Sequence, residues 1–377
     1  MIVAPDGWHR QCVFALGRKG RGLRMAKARA GGVAVVMGAE ELGVVMPGDL
    51  RERLRESTGR VVRAKAVQSS EGGENAPWLE GLEGMEGLEG PDWLGDVEVL
   101  VTGWGCPPLT KAVLDRAPRL RAVVHAAGSV KWLVTEEVWE RGIVVSSAAG
   151  VNAGPVADFT LALITLAAKD ALPMAAAYAN GRWPAFTERR GADGRTVGVI
   201  GASRIGRGVM AGLRTSAAGY RVLLYDPYVT AEDAERLGAE YVSCLADLCR
   251  ASDIVTVHAP ETPETRRLLD EQHLALIPDG GTVINTARGS IVDTGALERE
   301  CAAGRLSAWL DVTDPEPLQK ERPLLSLPNV MVTPHIAGAQ GSEGRRLGVW
   351  AVEEVKRWMR GERLLGEVRR EELGRLA

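Results

Sequence analysis

The second half of the chain alternates short apolar runs with segments whose apolar residues recur at helical spacing. The apolar runs predict strands at residues 196–200, 221–225, 253–257, 281–285, 306–310 and 330–333. Between them, the helical spacing predicts helices at residues 204–215, 244–251, 272–276 and 295–303. Strands that alternate with crossover helices form parallel sheets with right-handed connections. The pattern therefore predicts an α/β fold with a doubly wound parallel sheet.

A shorter α/β pattern precedes this region and a further helix follows it. Strands are predicted at residues 33–37, 97–101 and 120–124, and helices at 47–57, 110–116 and 344–360. The last helix lies beyond the final strand and is long enough to return to the front unit. With 377 residues, the chain is long enough for two domains. We predict one domain at residues 152–335 and a second, discontinuous one at residues 1–151 together with 336–377.

Two segments are expected to extend from this fold. The first thirty residues carry an excess of Arg and Lys, and we interpret residues 1–30 as an extension that precedes the first strand. Residues 69–95 are rich in Gly and Glu, which bury too little apolar surface to form a core. We interpret this second segment as a flexible surface insertion.

A long apolar helix is predicted at residues 152–168, at the boundary between the two domains. Ala157, Leu161, Ile164 and Ala168 recur at helical spacing, and other positions of the segment are apolar as well. Helices that are apolar on several sides are normally buried. We expect this helix to lie between the domains or in the interface of a two-fold homodimer.

Composition narrows the classes of partner. The chain has 46 Lys and Arg against 49 Asp and Glu, so it has no overall basic field that would attract nucleic acid or an anionic membrane. No run approaches the ~18 apolar residues of a membrane helix. The five cysteines have no CxxC spacing, which argues against a disulfide framework and against a zinc site. We therefore expect a cytoplasmic protein without a metal, nucleic-acid or membrane partner.

A glycine-rich turn follows the strand at residues 196–200. Gly201 allows a tight strand-to-helix turn, and Gly206 lets the next helix pack closely on the sheet. The N–H groups at the start of that helix would bind a pyrophosphate, and the hydroxyl of Ser203, which replaces the second glycine of the usual pattern, could donate to it. Asp226, at the end of the next strand, would accept from the ribose hydroxyls and repel a 2′-phosphate. These features predict a Rossmann domain that binds NAD rather than NADP.

Polar residues with complementary chemistry follow three later strands. Arg288 has the planar fork of donors that grips a carboxylate. His335 could exchange a proton with a substrate hydroxyl, and Glu316 could hold the other ring nitrogen. Asp311, at the end of its strand, is expected to hold the nicotinamide carboxamide. Asp314 stands two residues before Glu316 and is the acid most easily mistaken for it.

In these stretches, and over roughly residues 97–360, the chain resembles the D-isomer-specific 2-hydroxyacid dehydrogenases, which include phosphoglycerate, glycerate and D-lactate dehydrogenases. The order Arg288, Glu316, His335 carries the resemblance, which implies that these are the catalytic residues. It also implies a Rossmann nucleotide domain, a flavodoxin-like α/β substrate domain and NAD. The implied reaction is hydride transfer between the nicotinamide and C2 of a small anionic D-2-hydroxy or 2-oxo acid.

The resemblance also indicates the residues that line each ligand. The expected cofactor contacts are Gly201, Ser203, Arg204, Ile205, Gly206, Asp226, His258, Pro260, Thr265, Thr286, Ala287, Asp311 and Gly338. The expected substrate contacts are Trp104, Gly105, Gly128, Ser129, Val130 and Arg288, with the amides of Ser129 and Val130 forming an anion nest. We interpret Lys131, next to this loop, as a surface lysine. The alternative is that it receives a second anionic group, such as a phosphate, phosphonate or distal carboxylate.

Two other functions remain open from the sequence. The same fold serves as a non-enzymatic NAD-sensing corepressor scaffold, although the complete set of Arg288, Glu316 and His335 argues against that role. Branches of the family that oxidise formate or phosphite are the other alternative. The formate branch carries Gln at the position of Glu316, whereas the phosphite branch keeps the Glu and is less easily excluded. Fold alone does not decide among them.

Overall fold

Two β-sheets with helices on their faces organise the chain. The computed structural model describes residues 32–60, 62–67 and 93–375. The strands are β1 Gly32–Gly38, β2 Val62–Val67, β3 Val97–Thr102, β4 Ala122–His125, β5 Val144–Ser147, β6 Thr196–Ile200, β7 Arg221–Tyr225, β8 Glu240–Tyr241, β9 Ile254–Val257, β10 Gly281–Asn285, β11 Leu306–Leu310, β12 Val330–Val332 and β13 Glu367–Val368. The helices are α1 Ala39–Val45, α2 Gly48–Thr58, α3 Lys111–Arg116, α4 Glu136–Glu140, α5 Ala149–Ala168, α6 Ala171–Ala179, α7 Arg204–Thr215, α8 Ala231–Leu237, α9 Leu245–Ala251, α10 Glu271–Leu276, α11 Thr294–Ala302 and α12 Gly344–Met359.

The first sheet has the strand order β2-β1-β3-β4-β5-β13. Strands β1 to β5 are parallel, and β13 pairs antiparallel with β5. This is the 2-1-3-4-5 order of flavodoxin-like sheets with one strand added, which confirms the predicted class of the front unit. Its central strands β3 and β4 are fully buried, with apolar clusters on both faces.

The second sheet has the order β8-β7-β6-β9-β10-β11-β12, and all its strands are parallel. The order reverses between β6 and β9, which makes the crevice at the carboxyl ends of these strands the place where such sheets bind dinucleotides. The strands and helices predicted for this sheet are all present, with bounds that differ by at most one residue. The doubly wound Rossmann fold is therefore confirmed.

The last helix returns to the first sheet. Helix α12 packs against α1 and α2, and it comes so close that a Cβ on Gly348 would lie 1.7 Å from the carbonyl oxygen of Val45. The buried carboxylate of Glu354 accepts from the Ser146 hydroxyl at 2.7 Å and from the Gly366 N–H at 3.2 Å. The first sheet and its helices are thus formed by segments that precede the second sheet in the sequence and by segments that follow it. The domain boundaries at 151/152 and 335/336 stay a prediction.

Helix α5 begins three residues before its predicted start. One face carries Val156, Leu163 and Ile164, which are buried, and the helix packs against α7 and strands β9 and β10. The opposite face is partly open, with Leu166 43% exposed, so burial is one-sided. This 20-residue helix has the length and apolar composition of a membrane span. The expectation that no run reaches that length was wrong.

The segments expected to extend from the fold lie mostly outside the described residues. Nothing tests the interpretation of residues 1–30, and residues 69–92 are likewise not described. The end of the predicted insertion differs from the expectation, because Trp93 and Leu94 are buried in the apolar cluster of the first sheet. Their large apolar side chains anchor the chain before β3, so a surface insertion reaching residue 95 was wrong at its end.

Candidate active site

The glycine turn after β6 forms a cradle that side chains would fill. Gly201 has a φ of +96°, and a Cβ there would lie 2.6 Å from the amide nitrogen of Ala259. A Cβ on Gly206 would lie 2.1 Å from the carbonyl oxygen of Gly201. Ser203 caps helix α7, and its Oγ accepts from the Gly206 N–H at 3.3 Å. Its hydroxyl proton is left to donate, and the turn therefore suits a pyrophosphate at the helix start.

Asp226 follows β7, where the sequence placed it, and is tied to this turn. Its Oδ2 accepts from the Ala202 N–H at 2.7 Å and its Oδ1 from the Tyr228 N–H at 2.8 Å. Because each carboxylate oxygen has a second lone pair, the group can still accept from ribose hydroxyls. The link to the glycine turn was not foreseen from the sequence.

The loop after β9 lies behind the cradle. His258 is buried, and its Nε2 lies 3.0 Å from the hydroxyl of Thr256. Burial lowers the pKa of His258 to about 3, so the ring is neutral at physiological pH. Further along, Thr265 Oγ1 donates to the carbonyl of Pro260 at 2.7 Å and fixes the loop. His258 therefore packs against the glycine turn as a neutral ring and does not offer a positive charge to a phosphate.

Arg288 follows β10 in a turn that Asn285 holds. Asn285 donates from Nδ2 to the Arg288 carbonyl at 2.8 Å and accepts from the Ala287 N–H at 3.0 Å. Thr286 pairs its hydroxyl with that of Thr160 on α5 at 2.9 Å, inside the protein. Among the described residues, no Asp or Glu oxygen lies within 4.0 Å of the Arg288 guanidinium. Arg288 is therefore a partly buried cation without an anionic partner in the described part of the chain.

His335 and Glu316 form the pair that the sequence predicted. Nδ1 of His335 lies 2.8 Å from Oε1 of Glu316, which leaves Nε2 available for a substrate. His335 has a φ of +54°, a left-handed conformation that non-glycine residues adopt mainly at special sites. The competing acid Asp314 faces away, with its Oδ2 3.6 Å from Arg266 Nη2.

Asp311 holds the loop that carries His335. It is 1% exposed, and its carboxylate accepts from the Thr333 hydroxyl at 2.6 Å and from the amides of Ile336 and Ala337 at 2.8 and 2.9 Å. Oδ1 accepts two of these bonds and Oδ2 accepts one. The structure gives Asp311 a positioning role, and its expected contact with the nicotinamide stays a prediction.

The expected substrate loop follows β4. Gly128 lies against Asn152 of α5, whose Oδ1 accepts from the Ala339 N–H at 2.8 Å, so one side chain joins this loop to the segment beyond His335. The amides of Ser129 and Val130 donate to no group in the described part of the chain. They are free to bind an anion, as the predicted nest requires.

Behind this loop, His125 is buried with its Nδ1 2.9 Å from the Thr102 hydroxyl, and burial lowers its pKa to about 3. In the turn after β3, which is the expected side wall of the substrate site, the Trp104 carbonyl accepts from the Gly38 N–H at 2.7 Å. Gly105 has a φ of +75° and lies so close to Gly38 that a Cβ would clash. The sequence places His125 at the start of this loop, but its buried contact with Thr102 was not predicted.

Comparison with known proteins identifies the family of the chain. Residues 161–337 match the family model described as "D-isomer specific 2-hydroxyacid dehydrogenase, NAD binding domain". The chain is 34% identical over 270 residues to D-3-phosphoglycerate dehydrogenase of Methanocaldococcus jannaschii, covering 71% of this chain and 51% of that protein. It is 34% identical over 262 residues to glyoxylate reductase of Korarchaeum cryptofilum, covering 68% of this chain and 78% of that protein.

A solved structure shows the same likeness over nearly the whole fold. The crystal structure of a protein from Thermus thermophilus superposes with a TM-score of 0.70 at 31% identity, covering 89% of this chain and 100% of that one. The chain spans about half the length of the phosphoglycerate dehydrogenase and 78% of the length of the glyoxylate reductase. It belongs to the D-isomer specific 2-hydroxyacid dehydrogenase family, and residues 161–337 are its NAD-binding domain.

Proposed function

We propose that the protein is an NAD-dependent oxidoreductase that interconverts a small D-2-hydroxy acid and its 2-oxo acid. The observation that carries the proposal is the 2.8 Å pair of His335 and Glu316, together with Arg288, which has no anionic partner among the described residues. Arg288, Glu316 and His335 follow β10, β11 and β12 at the carboxyl edge of the sheet, where the glycine cradle follows β6, so we expect all of them to line one crevice.

Each residue has one task in this reaction. Arg288, with the free amides of Ser129 and Val130, would bind the substrate carboxylate and orient C2. His335 would hold the proton of the C2 hydroxyl on Nε2 during oxidation and return it during reduction. Glu316 accepts from Nδ1 and fixes the ring and its tautomer. When bound, NAD supplies the redox chemistry by exchanging hydride at C2.

The direct test is a panel of 2-oxo acids, including pyruvate, glyoxylate and hydroxypyruvate, with NADH consumption followed by absorbance. We expect at least one member to be reduced at a rate above about 1 per second, as is typical of enzymes at their own chemistry. NADH binding without turnover of any member would contradict the proposal and favour the corepressor-like scaffold.

Cofactor preference follows from Asp226. We expect kcat/KM with NADPH to be at least about tenfold lower than with NADH, because the carboxylate repels a 2′-phosphate and a tenfold effect needs only ~1.4 kcal/mol. Asp226→Asn keeps the shape of the side chain but removes its charge, so the difference in kcat/KM between NADH and NADPH is expected to become smaller. Steady-state rates with both nucleotides check this. Equal rates in the unmodified protein would show that Asp226 does not read the ribose.

We also propose that the protein is a homodimer. Exposed aromatic side chains occur at the end of α6 and in the segment after it: Tyr178, Trp183 and Phe186 are 65%, 72% and 84% exposed. Arg189 lies 5.4 Å from the centroid of the Trp183 ring. Exposed aromatic patches beside a half-open apolar helix such as α5 are typical of subunit interfaces.

Sedimentation velocity tests this assembly. The unmodified protein is expected to sediment as a dimer at micromolar concentration. The double variant Trp183→Ser, Phe186→Ser is expected to shift toward monomer because it removes two of these exposed aromatic side chains. Tyr241→Ser, at the far edge of the second sheet, is the matched control. A monomer in the unmodified protein would contradict the dimer but not the chemistry.

A further inference from the structure

Lys131 crosses from the substrate loop of the first sheet to the second sheet. Its Nζ donates to the backbone carbonyl of Glu261 at 2.8 Å. The carboxylate of Glu261 in turn accepts from the hydroxyl of Ser290, two residues beyond Arg288. A chain of hydrogen bonds therefore joins the Lys131 ammonium to the turn that carries Arg288. Lys131 is partly buried and its bond to Glu261 is solvent-exposed, so its position agrees with a surface lysine that reaches the second sheet.

Among the described residues, no Asp or Glu oxygen lies within 4.0 Å of Lys131 Nζ. The same holds for Lys169 and Lys320, whereas Lys111 and Lys356 each pair with a carboxylate. The only acceptor of Lys131 among these residues is a neutral carbonyl. Burial lowers the pKa of Lys131 and the positive charge of Arg288 lowers it further, against a smaller opposing effect of the Glu261 carboxylate. The two cations therefore act on each other.

Lys131 and Arg288 contact backbone carbonyls but no carboxylate among the described residues, and two such cations are more than a simple 2-oxo acid requires. A single carboxylate on Arg288 would leave the Lys131 ammonium partly desolvated without an anion, an arrangement that costs free energy. A substrate with a second acid group removes that cost, because its anionic oxygen replaces the carbonyl of Glu261 as acceptor. A charged acceptor forms a stronger hydrogen bond than a neutral one.

We propose that Lys131 determines specificity by binding a second, distal acid group of the substrate while Arg288 binds the C1 carboxylate. This inference rests on the proposed function. The substrate class is a 2-hydroxy or 2-oxo acid that carries a further carboxylate, phosphate or phosphonate. A lysine ammonium is a point charge with freely rotating donors, so it accepts planar and tetrahedral acids alike.

Matched pairs of substrates test the proposal. Pyruvate is compared with oxaloacetate and with 3-phosphonopyruvate, and hydroxypyruvate with its 3-phosphate, all with NADH. In Lys131→Gln, the ratio of kcat/KM for the diacid to that for the monoacid is expected to fall about 10- to 100-fold, the loss typical of a hydrogen bond to a charged group. Lys131→Arg is expected to keep most of the ratio. Lys111→Gln, an exposed lysine on α3, is the matched control and should leave the ratio unchanged.

The outcomes separate this inference from the proposed function. The series with the larger fall identifies the distal group as carboxylate or phosphoryl. If the ratio of kcat/KM values is unchanged in Lys131→Gln, the inference is overturned. An equal loss of kcat/KM for monoacids and diacids would also overturn it, because Lys131 would then only hold the two sheets together. Both would leave the proposed function in place. Absence of NADH turnover with every acid in the unmodified protein would overturn both proposals.

Discussion

Replacement of His335 by Ala is expected to lower the rate of 2-oxo acid reduction by about 10²–10⁴-fold, the usual contribution of a positioned acid–base group. NADH affinity should be nearly unchanged, because His335 is assigned to the substrate proton and not to the cofactor. Stopped-flow rates and NADH fluorescence titration measure the two effects. His273→Ala is the matched control, since His273 also pairs with a carboxylate, Asp270 at 2.7 Å, but lies on α10.

Glu316→Gln tests the role of Glu316 separately from the role of His335 as the proton donor. The amide keeps the shape of the side chain but no longer stabilises a positive imidazole. Reduction needs the protonated ring, so the rate of 2-oxo acid reduction should fall in the variant while NADH affinity is unchanged. Asp314→Asn, two residues earlier and facing Arg266, should leave the rate unchanged. A reduction rate unaltered by Glu316→Gln would contradict the pairing, and full activity in His335→Ala would contradict the mechanism.

The second large effect is expected at Arg288. Arg288→Lys keeps the charge but loses the planar fork, so KM for the 2-oxo acid should rise, kcat should fall, and kcat/KM should drop about 10- to 100-fold. NADH affinity should hold, as measured by fluorescence titration. Arg266→Lys, an exposed arginine near the same loops, is the control. Loss of NADH binding with an unchanged substrate KM would instead assign Arg288 to the cofactor.

Most of the second sheet was predictable because each of its strands except β8 is a short, mainly apolar run bounded by polar or glycine residues. Strands β6, β7, β10 and β11 have the predicted bounds. Two of the missed strands lack that signal. β8 has only two residues, and β2 carries Arg63 and Lys65 within an apolar run, as edge strands often do.

The residue types of the candidate site could be predicted from the sequence, but most of the contacts among these residues could not. The pairing of His335 with Glu316 rather than Asp314 followed from their order and resemblance, and the 2.8 Å distance agrees with it. The bonds from Asp311 to the loop that carries His335, and from Asp226 to Ala202, depend on backbone N–H groups that no sequence pattern marks. The position of Lys131 against Glu261 needs the two sheets to meet, which only the fold provides.

The proposed reaction is hydride transfer to C2 with His335 as the proton donor. It is measured with NADH that carries deuterium at both C4 positions and one reactive 2-oxo acid from the panel whose product is chiral, which excludes glyoxylate, followed by mass spectrometry and chiral chromatography of the product. We expect one deuterium at C2, a product of D configuration, and a rate lost in His335→Ala while labelled NADH still binds. A product without deuterium at C2, or one of L configuration, would contradict the account.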